Sequence, residues 1–167
     1  MDPRYPTGKY EDPVDATAAD RVRWIDEMAL LPGQVRAAVA SLNGSALDKP
    51  YREGGWTGRQ VVHHLADSHV NAYIRFRLAL TEDQPVIKPY QESQWAELED
   101  ARSGDVALSL ELLEHLHRRW VVLLRSLGEE QWTRQFVHPE MGVRDLTQTL
   151  ALYAWHGRHH LGHLGLL

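Results

Sequence analysis

The most constraining feature of this sequence is an apolar residue at every third or fourth position across residues 105–127, without a break. These apolar residues are Val106, Leu110, Leu113, Leu116, Trp120, Leu124 and Leu127. On an α-helix this spacing forms one apolar stripe, and the helix is stable only when the stripe packs against other apolar surface. The sequence therefore predicts a helix over residues 105–127, ended by Gly128, that packs against further helices.

Three more segments have helical spacing. The first covers residues 17–42, where Pro32 and Gly33 predict a kink or a division into two helices. The second covers residues 57–80 with Thr57 as its N-cap, and the last begins after Asp145, which can cap it. No run of alternating apolar residues is long enough for a sheet. The 167 residues are therefore predicted to form a single all-α domain over residues 1–167, a four-helix bundle.

Two connections between these helices are irregular. Residues 81–104 contain Pro85, Pro89 and a short helical piece at residues 94–97. So long a connection usually crosses a bundle or covers a site, and we expect this one to do both. A crossover allows the second and third helices to run parallel. Residues 133–142 are predicted to form a loop that can include a short hairpin.

The charge and hydropathy of the chain exclude several classes of partner. A net charge of -5 lacks the broad positive field that binds nucleic acid or anionic lipid. No apolar run approaches the roughly 20 residues of a membrane span, and residues 1–16 are polar, without the apolar core of a signal peptide. We therefore expect a soluble cytoplasmic protein that binds neither nucleic acid nor membranes.

The composition also limits the metal chemistry. The chain has no cysteine, which excludes disulfides, thiolate zinc sites and cysteine nucleophiles, so any metal must be held by nitrogen and oxygen. Histidine is frequent, with 10 in the chain, and four of these fall within eight positions: His156, His159, His160 and His163. This cluster is the first candidate for a functional site.

Residues four apart on a helix lie one above the other, at about 5–6 Å between Cβ atoms, so two imidazoles at that spacing can bind one metal ion. The cluster offers His156 with His160, and His159 with His163. Steps of three and four from Leu146 along the apolar side of this helix reach His160, and His156 lies next to that line. The first pair is therefore predicted to face the core, while the second pair is predicted to be solvated.

A third ligand must come from another helix, because facing helices converge in the core of a bundle. The candidates on the second helix are His63, His64 and His69, with His115 and His117 on the third helix less favoured. By its position His64 is near the inward edge of the helix, His63 is predicted to be more exposed, and His69 can be buried. Spacing alone leaves two interpretations open, a metal site and a structural or pH-sensitive histidine network.

Five segments carry recognisable motifs: EGGWT at 53–57, RQVVHHLADSH at 59–69, RFRLALTE at 75–82, HPE at 138–140 and YAWHGRHH at 153–160. Together they resemble the DinB/YfiT-like family of metal-binding four-helix-bundle proteins. The resemblance runs from about residue 5 to the C-terminus. It is closest to the YfiT branch, which is described as metal-dependent hydrolases and is related to bacillithiol transferases.

This resemblance implies a ligand set. One ligand histidine lies eight residues beyond Trp56, which is His64, and two more lie four apart on the last helix, His156 and His160. The adjacent His63 remains an alternative at the first position. The resemblance further implies one divalent metal ion per chain, zinc or nickel, a bundle with a long crossover between its second and third helices, and a homodimer.

Three imidazoles leave coordination positions open for water or a small-molecule substrate, as in catalytic sites. We therefore expect a metal-dependent hydrolase, with a metal-dependent low-molecular-weight thiol S-transferase or a non-catalytic, stress-related metal-binding module as alternatives. Hydrolysis needs a nearby carboxylate, for which the candidates are Asp67, Glu53 and Glu140. Thiol transfer needs a cationic or hydrogen-bonding pocket, for which the candidates are Asn71, Arg75, Tyr153 and Arg158.

Overall fold

The computed structural model describes residues 2–43 and 45–167. Four long helices account for most of them: α1 (Ala18–Ser41), α2 (Gly58–Thr81), α5 (Val106–Ser126) and α7 (Leu146–Leu164). Two short helices, α3 (Glu92–Trp95) and α4 (Glu99–Ser103), lie in the connection between α2 and α5. Between α5 and α7 are the short helix α6 (Glu129–Trp132) and an antiparallel hairpin of β1 (Gln135–His138) and β2 (Gly142–Asp145).

Each long helix begins at a side chain that caps its free backbone N–H groups. Thr17, Thr57 and Asp145 each accept a hydrogen bond from the backbone N–H three residues ahead, and Asp105 accepts one from Ala107. At an N-cap such a bond contributes about 1 kcal/mol to helix stability. These short polar side chains therefore explain why the helix starts lie within one residue of the sequence prediction.

The second and third long helices run parallel, as the predicted crossover requires. Along α2 and α5 the contacts advance together: the side chain of His63 contacts Ser109, His69 contacts His117, and farther along Phe76 packs on Trp120. Contacts of α2 with α7 run in the opposite sense. Helices α1 and α2 each pack against both α5 and α7, so the four-helix bundle has the crossover topology that was predicted.

Helix α1 is continuous, so of the two alternatives predicted at Pro32, a kink or a division, the division does not occur. Proline lacks an N–H, so it cannot donate to the carbonyl of Met28 four residues earlier. In this structure Nδ1 of His117 on α5 lies 2.6 Å from that carbonyl oxygen and donates to it instead. A neighbouring helix therefore supplies the hydrogen bond that proline removes.

The core consists of two apolar clusters with a layer of histidines between them. One cluster is built around Trp120, Phe76 and Leu150, and the other around Leu65, Leu113 and Val35. Along every long helix the members of the two clusters are separated in sequence, and the residues between them include His69, His117, His156, His159 and His160. The bundle therefore places its polar chemistry at mid-height, enclosed above and below by apolar side chains.

Helix α7 is closely covered on two sides. A Cβ atom at Gly157 would lie 2.6 Å from a methyl carbon of Leu31 on α1, and one at Gly162 would lie 2.8 Å from Cγ of Pro6. Glycine at both positions allows this approach, because neither neighbour leaves room for a side chain. The segment before α1 thus lies against the histidine-bearing helix. Among the described residues no helix combines the length and apolar character needed to cross a bilayer.

Candidate metal centre

Three imidazoles from two helices converge at mid-height of the bundle. His64 on α2 and His156 and His160 on α7 each offer a ring nitrogen, and these three atoms lie within 4.8 Å of one another. The ring centroids are 4.4 to 5.2 Å apart. Within the described part of the chain, this is the group of side chains that could hold a metal ion.

The spacing of the nitrogens fits shared coordination. Nε2 of His64 and Nε2 of His156 are 3.1 Å apart. Nitrogens bound to one ion at about 2.0–2.1 Å are separated by about 2.9–3.4 Å, depending on whether the geometry is octahedral or tetrahedral. Imidazole nitrogen without sulfur suits zinc, copper, iron and nickel among the common divalent ions. The residues present therefore fit a divalent cation without rearrangement of these two rings.

Burial keeps these imidazoles neutral, which is the form that binds metals. Desolvation lowers the pKa of His64 to about 4, with smaller contributions from neighbouring histidines. It also holds the pKa values of His156 and His160 well below the usual 6.5. A lone pair is thus available on each ring near neutral pH, without competition from a proton.

The remote nitrogens of the two α7 rings contact further histidines. Nδ1 of His156 lies 3.2 Å from Nε2 of His69, and Nδ1 of His160 lies 3.2 Å from Nδ1 of His163. Partners of this kind fix ring orientation and the position of the ring proton, because one nitrogen donates while the other keeps its lone pair. In both α7 rings this contact uses Nδ1, so Nε2 is the nitrogen that remains for a metal ion.

The three imidazoles lie at the wall of an open cavity of about 400 Å³. Its lining also includes Trp56, Trp155, Glu92 and two arginines, Arg4 and Arg52. A second cavity of about 410 Å³, which contains Arg75 and Tyr153, shares His156 and Glu92 with the first. Cavities of this size accommodate small molecules. Because the three imidazoles line an open one, they are accessible from outside and not closed inside the core.

Comparison with known proteins agrees with this fold. The family model of the DinB superfamily matches residues 27–164. The chain belongs to the DinB superfamily. It is 47 % identical over 161 residues to a Bacillus subtilis protein named "Putative metal-dependent hydrolase YfiT", covering 96 % of this chain and 90 % of that protein. A "Putative metal-dependent hydrolase" of Bacillus cereus is 52 % identical over 165 residues, 98 % of this chain and 94 % of that protein.

A solved structure shows the same likeness. YfiT from Bacillus subtilis, described as having an unusual four-helix bundle topology, superposes on this DinB protein with a TM-score of 0.95. The match has 45 % sequence identity and covers 99 % of this chain and 95 % of that chain. The predicted family and fold class are therefore confirmed.

The histidine next to His64 is not part of the group in this DinB protein. His63 was predicted to be more exposed than His64. Both are buried, and Nδ1 of His63 lies 2.7 Å from Oγ of Ser109 while its Nε2 lies 3.2 Å from the carbonyl oxygen of Gly104. Its ring therefore faces the start of α5. Of the two neighbours, His64 is the one whose nitrogen meets those of α7.

The prediction that His159 and His163 are solvated is wrong. Their side chains are 8 % and 2 % exposed. His159 stacks on Trp155, and His163 stacks on Tyr51 at a centroid distance of 4.0 Å. The apolar stripe of α7 does not reveal the rest of this cover, because Tyr51 lies in the loop before α2 and Tyr5, whose ring centroid is 6.3 Å from that of His159, lies in the segment before α1.

The structure also sorts the candidate polar residues. Glu140 and the pair Arg75 and Tyr153 line the second cavity, whereas Arg158 forms an ion pair with Glu27 and Asn71 donates to the carbonyl of Asp67. Two predicted carboxylates, Asp67 and Glu53, both in the described part of the chain, line neither cavity. Burial, reinforced by the charge of Asp100, raises the pKa of Asp67 to about 6. This carboxyl group nevertheless lies outside both cavities.

Sequence reasoning missed Glu92, the carboxylate that lines both cavities. It lies in α3, within the connection that was expected to cover a site. Gln60 on α2 fixes this connection, since its side-chain nitrogen donates to the carbonyl of Ala96 at 2.7 Å. The only sequence signal was the length of the connection, which indicates a covering segment but not the residue that it presents.

Because several histidines are buried, we predict that acid destabilises the metal-free protein. Burial lowers the pKa of His117 from 6.5 to about 4. Between these values the unfolded chain binds a proton that the folded chain does not, so stability falls as the pH is lowered from about 6.5 to 4. For His117 alone this amounts to on the order of 3 kcal/mol. Urea unfolding at pH 7 and pH 4 should show a smaller loss in His117→Gln than in wild type, and an equal loss would contradict the assignment.

Proposed function

We propose that this protein is a metal-dependent hydrolase in which His64, His156 and His160 hold one divalent cation per chain. The observation that supports this most directly is that, among the described residues, a group of three neutral imidazoles without a fourth ligand faces an open cavity. Structural sites for tetrahedral metals have four protein ligands, while catalytic sites have three and leave a position open. A non-catalytic module is less well supported for the same reason.

A divalent cation held by three imidazoles supplies Lewis acidity, which makes a water molecule nucleophilic near neutral pH. Zinc or nickel would suit this donor set, since both accept imidazole nitrogen. The protein contributes position and environment. Apolar clusters enclose the histidine layer on two sides, and the rings of Trp56 and His64, with centroids 4.6 Å apart, form one wall of the site.

Glu92 is the proposed general acid and base. It lines the cavity with the three imidazoles and is exposed to the solvent within it. A carboxylate in this position can take a proton from water as a bond to the substrate forms, and can return it to the leaving group. The second cavity, which Glu92 and His156 also line, is the proposed place for the rest of a small-molecule substrate, with Arg75 available to bind a negatively charged group.

Thiol transfer is the second candidate, and one observation favours it. The cavity of the three imidazoles is lined by Arg4, which pairs with Asp2, and by Arg52. The positive charge of Arg52 would attract an anionic low-molecular-weight thiol. In transfer, the thiol sulfur would take the position that hydrolysis assigns to water. It would lose its proton and form a bond to an electrophilic co-substrate. The two reactions therefore share the metal and differ in the nucleophile.

The test is an assay of purified protein stripped of metal and reloaded with Zn²⁺ or Ni²⁺. We expect hydrolysis of members of an ester and amide panel by the loaded protein, no activity after chelation, and recovery when metal is added back. A parallel assay supplies a small thiol with an electrophile. Activity that survives complete metal removal would overturn the proposal, and activity only in the thiol assay would replace hydrolysis by transfer.

A further inference from the structure

A chain of hydrogen bonds crosses the bundle from the backbone of α1 to a ring of the metal centre. It begins at the carbonyl of Met28, passes through His117 on α5 and His69 on α2, and ends at His156 on α7. The successive distances are 2.6, 2.8 and 3.2 Å. All four long helices contribute one member.

The direction of each bond follows from its first member. A carbonyl oxygen only accepts, so Nδ1 of His117 carries its proton and points it at Met28. A neutral imidazole has one donor and one acceptor, which leaves Nε2 of His117 as an acceptor for a proton on Nδ1 of His69. By the same rule Nε2 of His69 accepts, and Nδ1 of His156 donates. Nε2 of His156 is then left without a proton.

The carbonyl of Met28 is available because of Pro32. In a regular helix it would accept from the N–H of residue 32, which proline lacks. His117 takes that place. The proline in the middle of α1 thus has a role that its own helix does not show, since it leaves an acceptor free inside the bundle.

Both intermediate rings lie in surroundings that favour neutrality. His69 is 0 % and His117 is 1 % exposed. The hydrogen-bond partners of His69 among the described residues are two imidazoles, and no carboxylate lies beside it to stabilise a cation. A cationic His69 would donate at both nitrogens and reverse the last bond, so that His156 would carry its proton on Nε2 and could not bind a metal through that atom.

We infer that His69 and His117 are positioning residues. Through them the carbonyl of Met28 fixes the ring proton of His156 on Nδ1, so that the unprotonated Nε2 of His156 faces the metal. The inference rests on the proposed ligand role of His156, but the proton positions themselves do not. They are a property of the metal-free protein. The two proposals can therefore fail separately.

The first measurement is made without metal. Long-range ¹H–¹⁵N correlation spectra of protein labelled in its histidine rings distinguish protonated from unprotonated ring nitrogens. We expect His117, His69 and His156 all to carry the proton on Nδ1 near neutral pH. A proton on Nε2 of His156, or a doubly protonated His69, would overturn the inference even if the protein bound metal normally.

The second measurement compares metal affinity in three variants by titration with Ni²⁺ or Zn²⁺. His69→Leu removes the acceptor and should weaken binding about 10- to 100-fold, with His156 showing a mixture of ring protonation sites. His69→Gln keeps an acceptor oxygen near the position of Nε2 and should retain most of the affinity. His63→Leu, a buried histidine on the same helix outside the chain of bonds, is the control, and equal weakening by His63→Leu and His69→Leu would refute the relay.

Discussion

Replacing any one of His64, His156 or His160 by alanine is expected to weaken binding of Zn²⁺ or Ni²⁺ by roughly a hundredfold to a thousandfold. Four-ligand zinc sites contribute about 10–16 kcal/mol, so one ligand is worth about 2.5–4 kcal/mol. The metal content of the purified variants should fall from about one ion per chain to a small fraction. Elemental analysis and competition with a chromogenic chelator measure both quantities.

His63→Ala is the matched control for this series. His63 is adjacent to His64, is buried, and has its two ring nitrogens directed at Ser109 and Gly104 instead of α7. This variant should retain the metal, although its stability falls because two buried hydrogen bonds are lost. Unchanged metal content in all three ligand variants, or loss of metal in the control alone, would end the ligand assignment.

Glu92→Gln is expected to lower kcat by about a hundredfold or more while the metal content stays unchanged. Removal of a general acid or base typically costs 10²–10⁴-fold in rate, and the amide keeps the shape of the side chain but cannot exchange the proton. Because Glu92 is exposed and lies on a short helix at the side of the bundle, the melting temperature should change little. Steady-state kinetics on metal-loaded protein, with metal content measured on the same samples, provides the test.

Glu140→Gln is the control for this second prediction. Glu140 lines only the neighbouring cavity and follows the hairpin strand β1. A large loss of kcat in this variant, with normal activity in Glu92→Gln, would transfer the acid and base role to Glu140. Loss of metal from Glu92→Gln would instead mark Glu92 as a ligand.

The helices were predictable because their signals are local. The apolar stripe of α5 and the capping side chains Thr17, Thr57 and Asp145 act within one or two turns of the chain, so their effect can be derived from the sequence. Pro32 shows the limit of such reasoning. Its missing N–H was visible, but the group that replaces it comes from His117, which is 89 residues beyond Met28 in the sequence.

The candidate centre was predictable for a different reason. Helical spacing alone placed His156 and His160 together, and the position of His64 relative to Trp56 followed from the family resemblance. The burial of His63, His159 and His163 was not predictable, because it depends on how α5, the loop before α2 and the segment before α1 cover the helix faces. Glu92 was missed because its place depends on the path of a long connection. The homodimer, the single-domain organisation and the cytoplasmic location stay predictions.

Helices α2 and α7 meet at His64 and His156, which are 92 residues apart in the chain. A cation bound there would act as a cross-link that closes a long loop, and a ligand that binds only the folded chain shifts the unfolding equilibrium in proportion to the logarithm of its free concentration. Metal scarcity would then reduce both the metal-loaded fraction and the folded fraction of the chain. In such a molecule, supply of the ion would determine how much of the chain is folded as well as how much of it is loaded.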